Sequence, residues 1–191
     1  MTTDIERRTY AVQEFRVDQE TGAPPKIIGH AALFDSLSEN LGGFLERIAA
    51  GAFAETLKSA DIRALFNHDP NFVLGRNKSG TLRLKEDKTG LAIEIDPPET
   101  QTAKDLIISM QRGDINQMSF GFRTVEDRWN KVDGEWIRTL LEVELFDVSP
   151  VTYPAYTQTD VAVRSLEKIR AAEMPDESYL IDLRKRSLQL I

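Results

Sequence analysis

The chain has 191 residues, of which 41% are hydrophobic and 29% charged, with a formal net charge of −7 and no cysteine. That length suits one domain with a real core. The acidic balance gives no general attraction to phosphate backbones, so nucleic-acid binding is not expected as the main role. Without cysteine, disulfides, thiolate zinc sites and cysteine nucleophiles are excluded. The opening "MTTDIERRTYAVQEF" lacks the apolar core of a secretory signal, and no run is apolar and long enough to cross a bilayer. A protein of intracellular type, without membrane association, is the expectation.

In chain order, Tyr10 to Val17 and Ile27 to Phe34 read as strands around the turn-prone "DQETGAPPK". "DSLSENLGG" reads as a loop, and a short helix runs from Ala52 to Ala60, with Phe53 and Leu57 on one face. Short strands follow at Ile62–Asn67, Phe72–Gly75, Gly80–Lys85 and Leu91–Asp96, with "EDKTG" as a hairpin turn. "DPPETQTAKDLIISMQRGD" reads as a helix capped by Thr100 or Thr102, carrying an apolar stripe of Leu106, Ile107 and Met110 and stopped by Gly113. Strands resume at Ile115–Thr124, Trp136–Val148 and Val161–Val163, with "NKVDGEW" as a turn. After Ser165 the pattern becomes charged and helix-friendly, giving residues 1–165 as the domain and 166–191 as a charged helical tail. Many short strands with a few helices make an α+β fold around a mostly antiparallel barrel or sandwich.

Three stretches carry groups with chemical potential. In "FNHDPN", His68 stands where a strand runs into a proline turn, a place that suits a general base but also a bland turn residue. In "NQMSFGF", Met118, Phe120 and Phe122 share the core face. Gln117, Ser119, Gly121 and Arg123 share the other, expected to be polar and open, with Gly121 leaving space beside the hydroxyl. In "LLEVELFDVSPVTYPAY", Glu142 and Glu144 point away from Leu141, Val143 and Leu145, and a regular strand places Asp147 on the leucine side. Any carboxylate meeting an imidazole Nδ1–H would fix its tautomer, and the pattern alone does not choose among them. His30, amid "IIGHAALF", reads as an ordinary strand histidine. No G-x-S-x-G elbow, P-loop spacing or metal-ligand pair of histidines is present.

Taken together and in order, "GHAALFDS", "RIAAGAFAETL", "IRALFNHDPNFVLGR", "GTLRLKEDKTGLAIEIDPP", "INQMSFGFR" and "LLEVELFDVSPVTYPAY" resemble the prohead maturation proteases of tailed bacteriophages from about Tyr10 to Ser165. That family is related in fold to the herpesvirus assemblins. The resemblance implies a closed, mostly antiparallel β-barrel of about seven strands surrounded by a few helices. It implies Ser119 as nucleophile and His68 as general base. The third assemblin member opens a strand similar to "EVELFDV", which implies Glu142, with Asp147 as runner-up if a bulge turns it to the other face. The assemblin oxyanion register lands on Pro150, which has no N–H, leaving Val151 or Ser149 as donor candidates.

The resemblance further implies a serine endopeptidase that needs no cofactor or metal. It would act in the host bacterial cytoplasm, inside the assembling procapsid. Its implied substrate is the scaffolding segment of the major capsid protein, and then itself, with the tail after Ser165 as a self-cleavage candidate. By analogy with assemblins, a homodimer is implied. A non-enzymatic capsid-assembly or scaffold-binding protein of the same fold is the alternative.

Overall fold

A computed structural model describes residues 5–11, 16–18, 23–153 and 160–173. Among them the elements run β1 (Glu6–Ala11), β2 (Arg16–Asp18), β3 (Lys26–Leu33), β4 (Phe44–Ile48), α1 (Ala54–Ser59), β5 (Arg63–Phe66), β6 (Asp69–Arg76), β7 (Leu82–Glu86), β8 (Gly90–Ile95), α2 (Gln101–Gln111), β9 (Gln117–Val132), β10 (Glu135–Val151) and α3 (Asp160–Glu173). None of these helices is long and apolar enough to cross a membrane.

The strand β10 is the template on which the site is built. Its hairpin with β9 turns on Asp133 and Gly134, both with positive φ, in the conformation that a two-residue turn between twisted strands demands. Along its other edge the chain from 44 to 67 lies down in order. First β4 pairs parallel with Trp136–Leu140, and Ala49 N–H donates to Leu140 O. Next, Ala52 O accepts from Val143 N–H, and the Thr56 hydroxyl in α1 accepts from Leu145 N–H. Then β5 pairs parallel at Asp147 and Val148, and Asn67 N–H donates to Pro150 O. The turn before α1 and a hydroxyl of α1 itself thus satisfy two N–H groups of β10 between the stretches paired with β4 and β5.

Two sheets result, β1-β9-β10-β5-β6 with β4 also on β10, and β2-β3-β8-β7. Neither closes into a barrel, which corrects the expected closed barrel. Among the described residues the ladders end on β1 and β6 in one sheet and on β2 and β7 in the other, with no pairing between those edges. Of the single strand expected over Tyr10–Val17, the described residues belong to β1, on β9, and to β2, on β3; residues 12–15 lie outside the described residues. The two sheets share one core instead: Ile27, Leu82, Leu91, Ile93 and Ile95 meet Ile48, Phe120, Phe122, Leu140 and Leu145. Phe53, leading into α1, packs edge-on against Phe120, which is itself stacked near Phe122. Each such buried ring is worth about 1.5–3 kcal/mol.

α2 is capped by Thr100, whose hydroxyl accepts from Ala103 N–H at 3.3 Å, and ends before Gly113 at φ 83°. Its Leu106, Ile107 and Met110 are buried, as the stripe predicts. β4 was not expected. Its "FLERI" alternates buried and half-buried, but the glycines before it read as loop. Val161–Val163, expected as a strand, lies inside α3, where helical continuity from Asp160 outweighs local β-branched preference. The division expected after residue 165 also falls inside α3. Leu166 is buried with Leu41, Phe44 and Trp136 in a second apolar cluster. Residues 174–191 of the expected tail lie outside the described residues.

Beneath the β4 end of β10 lies a buried ion cluster. Arg8 bridges Glu6 and Glu46, and Arg138 bridges Glu6, Glu46 and Asp127. Burial alone would raise the Glu6 carboxyl, but Arg138, Arg8 and the Thr124 hydroxyl hold it below its usual value. Removing one partner from such a cluster costs about 3–5 kcal/mol, because the other charge is left buried and unpaired.

Candidate active site

His68 sits at the tip of the β5–β6 hairpin. Phe66 pairs with Asp69, so Asn67 and His68 form a two-residue turn, with φ 55° and 58°. Both are left-handed, as a type I′ turn requires, and Asn and His tolerate that region better than most side chains. The reversal comes before the Asp69-Pro70 pair that the sequence suggested as turn starter. Asp69 instead receives Asn71 N–H within β6.

Ser119 lies on β9 between Thr9 of β1 and Ser149 of β10. Directly opposed residues on antiparallel strands share a face, so Ser119 and Ser149 lie on one side with the next such pair, Gly121 and Asp147. Asp147 reaches that face because β10 slips one register between Leu145 and Asp147. A regular strand would have turned its carboxylate toward the leucines. The bulge is supported from the side, where the Thr56 hydroxyl takes the Leu145 N–H.

These placements bring three groups into series. His68 Nε2 is 2.7 Å from Ser119 Oγ, and His68 Nδ1 is 2.6 Å from Asp147 Oδ1. The Ser149 hydroxyl donates to the same Oδ1 at 2.7 Å. Both histidine nitrogens are therefore engaged, one by an acid that orients the ring and one by a hydroxyl whose proton it can take. The Ser119 residue is 0% exposed, and the His68 and Asp147 side chains are 7% and 13% exposed. At Ser119 and Gly121 the face expected to be open is covered, although Arg123 on the same face is exposed, and the space expected beside Gly121 is filled. A Cβ on Gly121 would collide with Asp147 Oδ2, so only glycine lets the carboxylate lie across β9 there.

Glu142, expected as the third member, is not brought to His68. It stands earlier on β10 across from Glu126, and the bulge delivers the runner-up Asp147 in its place. Glu144 is ion-paired with Arg123 on β9. Of the oxyanion candidates, Ser149 and Val151 pair with Ser119 and Gln117. A strand residue turns its N–H and C=O the same way. Pro150 O faces Asn67, so the N–H groups of Ser149 and Val151 face the β9 ladder. His30 stands in the other sheet, with Nε2 2.9 Å from Asp87 Oδ2. Among the described residues, no group of three or more His, Asp or Glu could hold a metal ion.

The sequence reading missed the Ser149 hydroxyl, the Thr56 support and the packing role of Gly121. A glycine between Phe120 and Phe122, on the serine's own face, is the one signal that could have marked a close approach.

A sequence model of the caudovirus prohead serine proteases matches residues 12–174. No curated protein matches. Among solved structures, the fold is similar to that of the bacteriophage T4 capsid assembly protease, gp21. The TM-score is 0.53 at 12% identity, covering 78% of this chain and 98% of that one.

Proposed function

The chain belongs to the caudovirus prohead serine proteases, and on that premise we propose that Ser119, His68 and Asp147 are the catalytic residues of an endopeptidase acting on the capsid protein within the assembling procapsid. His68 Nε2 takes the Ser119 proton as Oγ attacks the scissile carbonyl carbon. Asp147 holds the ring and stabilises the imidazolium. The protonated histidine then gives its proton to the leaving amine, the C–N bond breaks, and an acyl-enzyme remains. Water, deprotonated by His68, then attacks the ester carbon, the bond from that carbon to Ser119 Oγ breaks to release the new carboxyl group, and His68 returns the proton to Oγ.

The observation that carries this reading is the unbroken series of 2.7 and 2.6 Å contacts among three residues from different strands and a turn. Two further requirements follow from the geometry. Ser119 is buried, so substrate must displace part of its cover before attack. For Ser149 or Val151 to donate to the oxyanion, the end of β10 must part locally from β9. The scaffolding segment of the capsid protein is the proposed substrate, followed by the enzyme's own tail. The assemblin relationship contributes the Ser–His pairing, not the barrel, and a homodimer belongs to the same analogy.

Co-expression with the capsid protein of the same phage tests the proposal. Wild type should shorten the capsid protein, and Ser119→Ala should leave it full length. Equal processing by both would end the reading. Normal particle assembly with no processing by either would favour the non-enzymatic alternative.

A further inference from the structure

We infer that Asn67 is a positioning residue that locks the histidine-bearing turn to the strand carrying its acid, an inference that rests on the catalytic reading above. A two-residue hairpin tip is ordinarily a mobile place. Beside the His68–Asp147 contact itself, this one is held to Pro150 of β10 and to Thr152 just past its end by three further hydrogen bonds, all through Asn67. Its N–H donates to Pro150 O at 2.9 Å, its Oδ1 accepts from Thr152 N–H at 2.9 Å, and its Nδ2 donates to Thr152 Oγ1 at 3.1 Å. Asn67 is covalently next to His68; Pro150 follows Asp147 on β10, and Thr152 is the first residue past that strand. The clamp therefore closes a short rigid path between the two ends of the His68–Asp147 contact.

Two demands meet at this position. The turn needs a residue content at φ 55°, which Asn shares with Gly and Asp. The clamp needs a side chain that accepts from one group of Thr152 and bonds another. Glycine meets only the first demand. Aspartate meets both, since its second oxygen can accept from the Thr152 hydroxyl once that rotates. A residue kept for the turn alone would be replaceable by glycine, and a residue kept to hold the base would not.

The experiment uses the full chain and a fluorophosphonate probe. Ser119 Oγ attacks the probe's phosphorus and fluoride leaves, with His68 taking the proton. Saturation kinetics of labelling are compared for wild type, Asn67→Gly, Asn67→Asp and Thr152→Val, with Ser119→Ala as the blank. Asn67→Gly should lower the maximal labelling rate about 10- to 100-fold, as expected for a misplacement of about 1 Å. Its half-saturating probe concentration and melting temperature should stay close to those of wild type. Asn67→Asp should recover most of the rate, and Thr152→Val should fall between. An Asn67→Gly enzyme as fast as wild type overturns the inference while wild-type labelling upholds the catalytic reading. If Asn67→Gly does not fold, a reduced rate in Thr152→Val beside a near-wild-type rate in Asn67→Asp supports the clamp, and either an unchanged Thr152→Val or a slow Asn67→Asp overturns it. Wild type labelled no faster than Ser119→Ala overturns the catalytic reading and this inference with it.

Discussion

Each of the two sheets holds one histidine against one aspartate. In the four-stranded sheet, His30 Nε2 meets Asp87, which also accepts Thr89 N–H and Gly90 N–H in the β7–β8 turn. In the six-stranded sheet, His68 Nδ1 meets Asp147, and Nε2 meets a serine hydroxyl. The first pair staples a turn to its neighbouring strand. The second has the same two functional groups, but the ring is used by its other end and a serine hydroxyl, the proposed nucleophile, stands beyond it. A histidine–carboxylate pair is thus a common fastening, and the third group converts it into a device for moving a proton.

That contrast can be broken in several ways. The largest effect is expected from Ser119→Ala or His68→Ala, each lowering proteolysis about 10⁴-fold or more, because the members act as a unit. His30→Ala should leave turnover per folded molecule unchanged, and a matching loss there would erase the distinction. Asp147→Asn should follow closely, at about 10⁴-fold, by allowing the wrong imidazole tautomer. Glu142→Gln should be silent in the same assay, and the reverse order would restore Glu142 as the acid.

Gly121→Ala should act through Asp147 alone, pushing the carboxylate aside and lowering the catalytic rate while far-ultraviolet circular dichroism holds. Full activity in that variant would show that the carboxylate has room to spare. The smallest effect concerns Asp87→Asn. Burial alone would raise the Asp87 carboxyl, but His30 and the N–H groups of Thr89 and Gly90 hold it below its usual 3.8. A depressed carboxyl stabilises the fold above its unfolded pKa and loses that contribution as pH falls through the folded value. Wild type should therefore exceed Asp87→Asn in melting temperature near neutrality, with the gap narrowing in acid. A gap independent of pH would assign the difference to packing.

Much of the chain was legible because its elements are local. The strand β3, the β7–β8 hairpin and α2 with its Thr100 cap follow from spacing and turn residues that act within a few positions. His68 and Ser119 were legible as a strand end and a strand face, with family resemblance supplying the link between them. The carboxylate that meets His68 was legible only as a runner-up conditional on a bulge, because the bulge after Leu145 depends on β9 opposite and on Thr56 from the side, neither of which leaves a trace in "LEVELFDVSP". The burial of Ser119 was hidden for the same reason. Strand periodicity says which residues share a face, and only the tertiary arrangement says whether that face is covered. β4 is parallel to its partner and far from it in sequence, so no hairpin signal announces it.

The separations within the site carry a consequence for the life of the polypeptide. His68 waits for a hydroxyl 51 residues downstream and an acid 79 residues downstream. Contacts of such span form late, after the entropy of the intervening loops has been lost. On the proposed catalytic reading, a nascent chain that still lacks β10 carries a serine without an oriented base. The site is complete only once β10 has been made and has paired with β9 and β5.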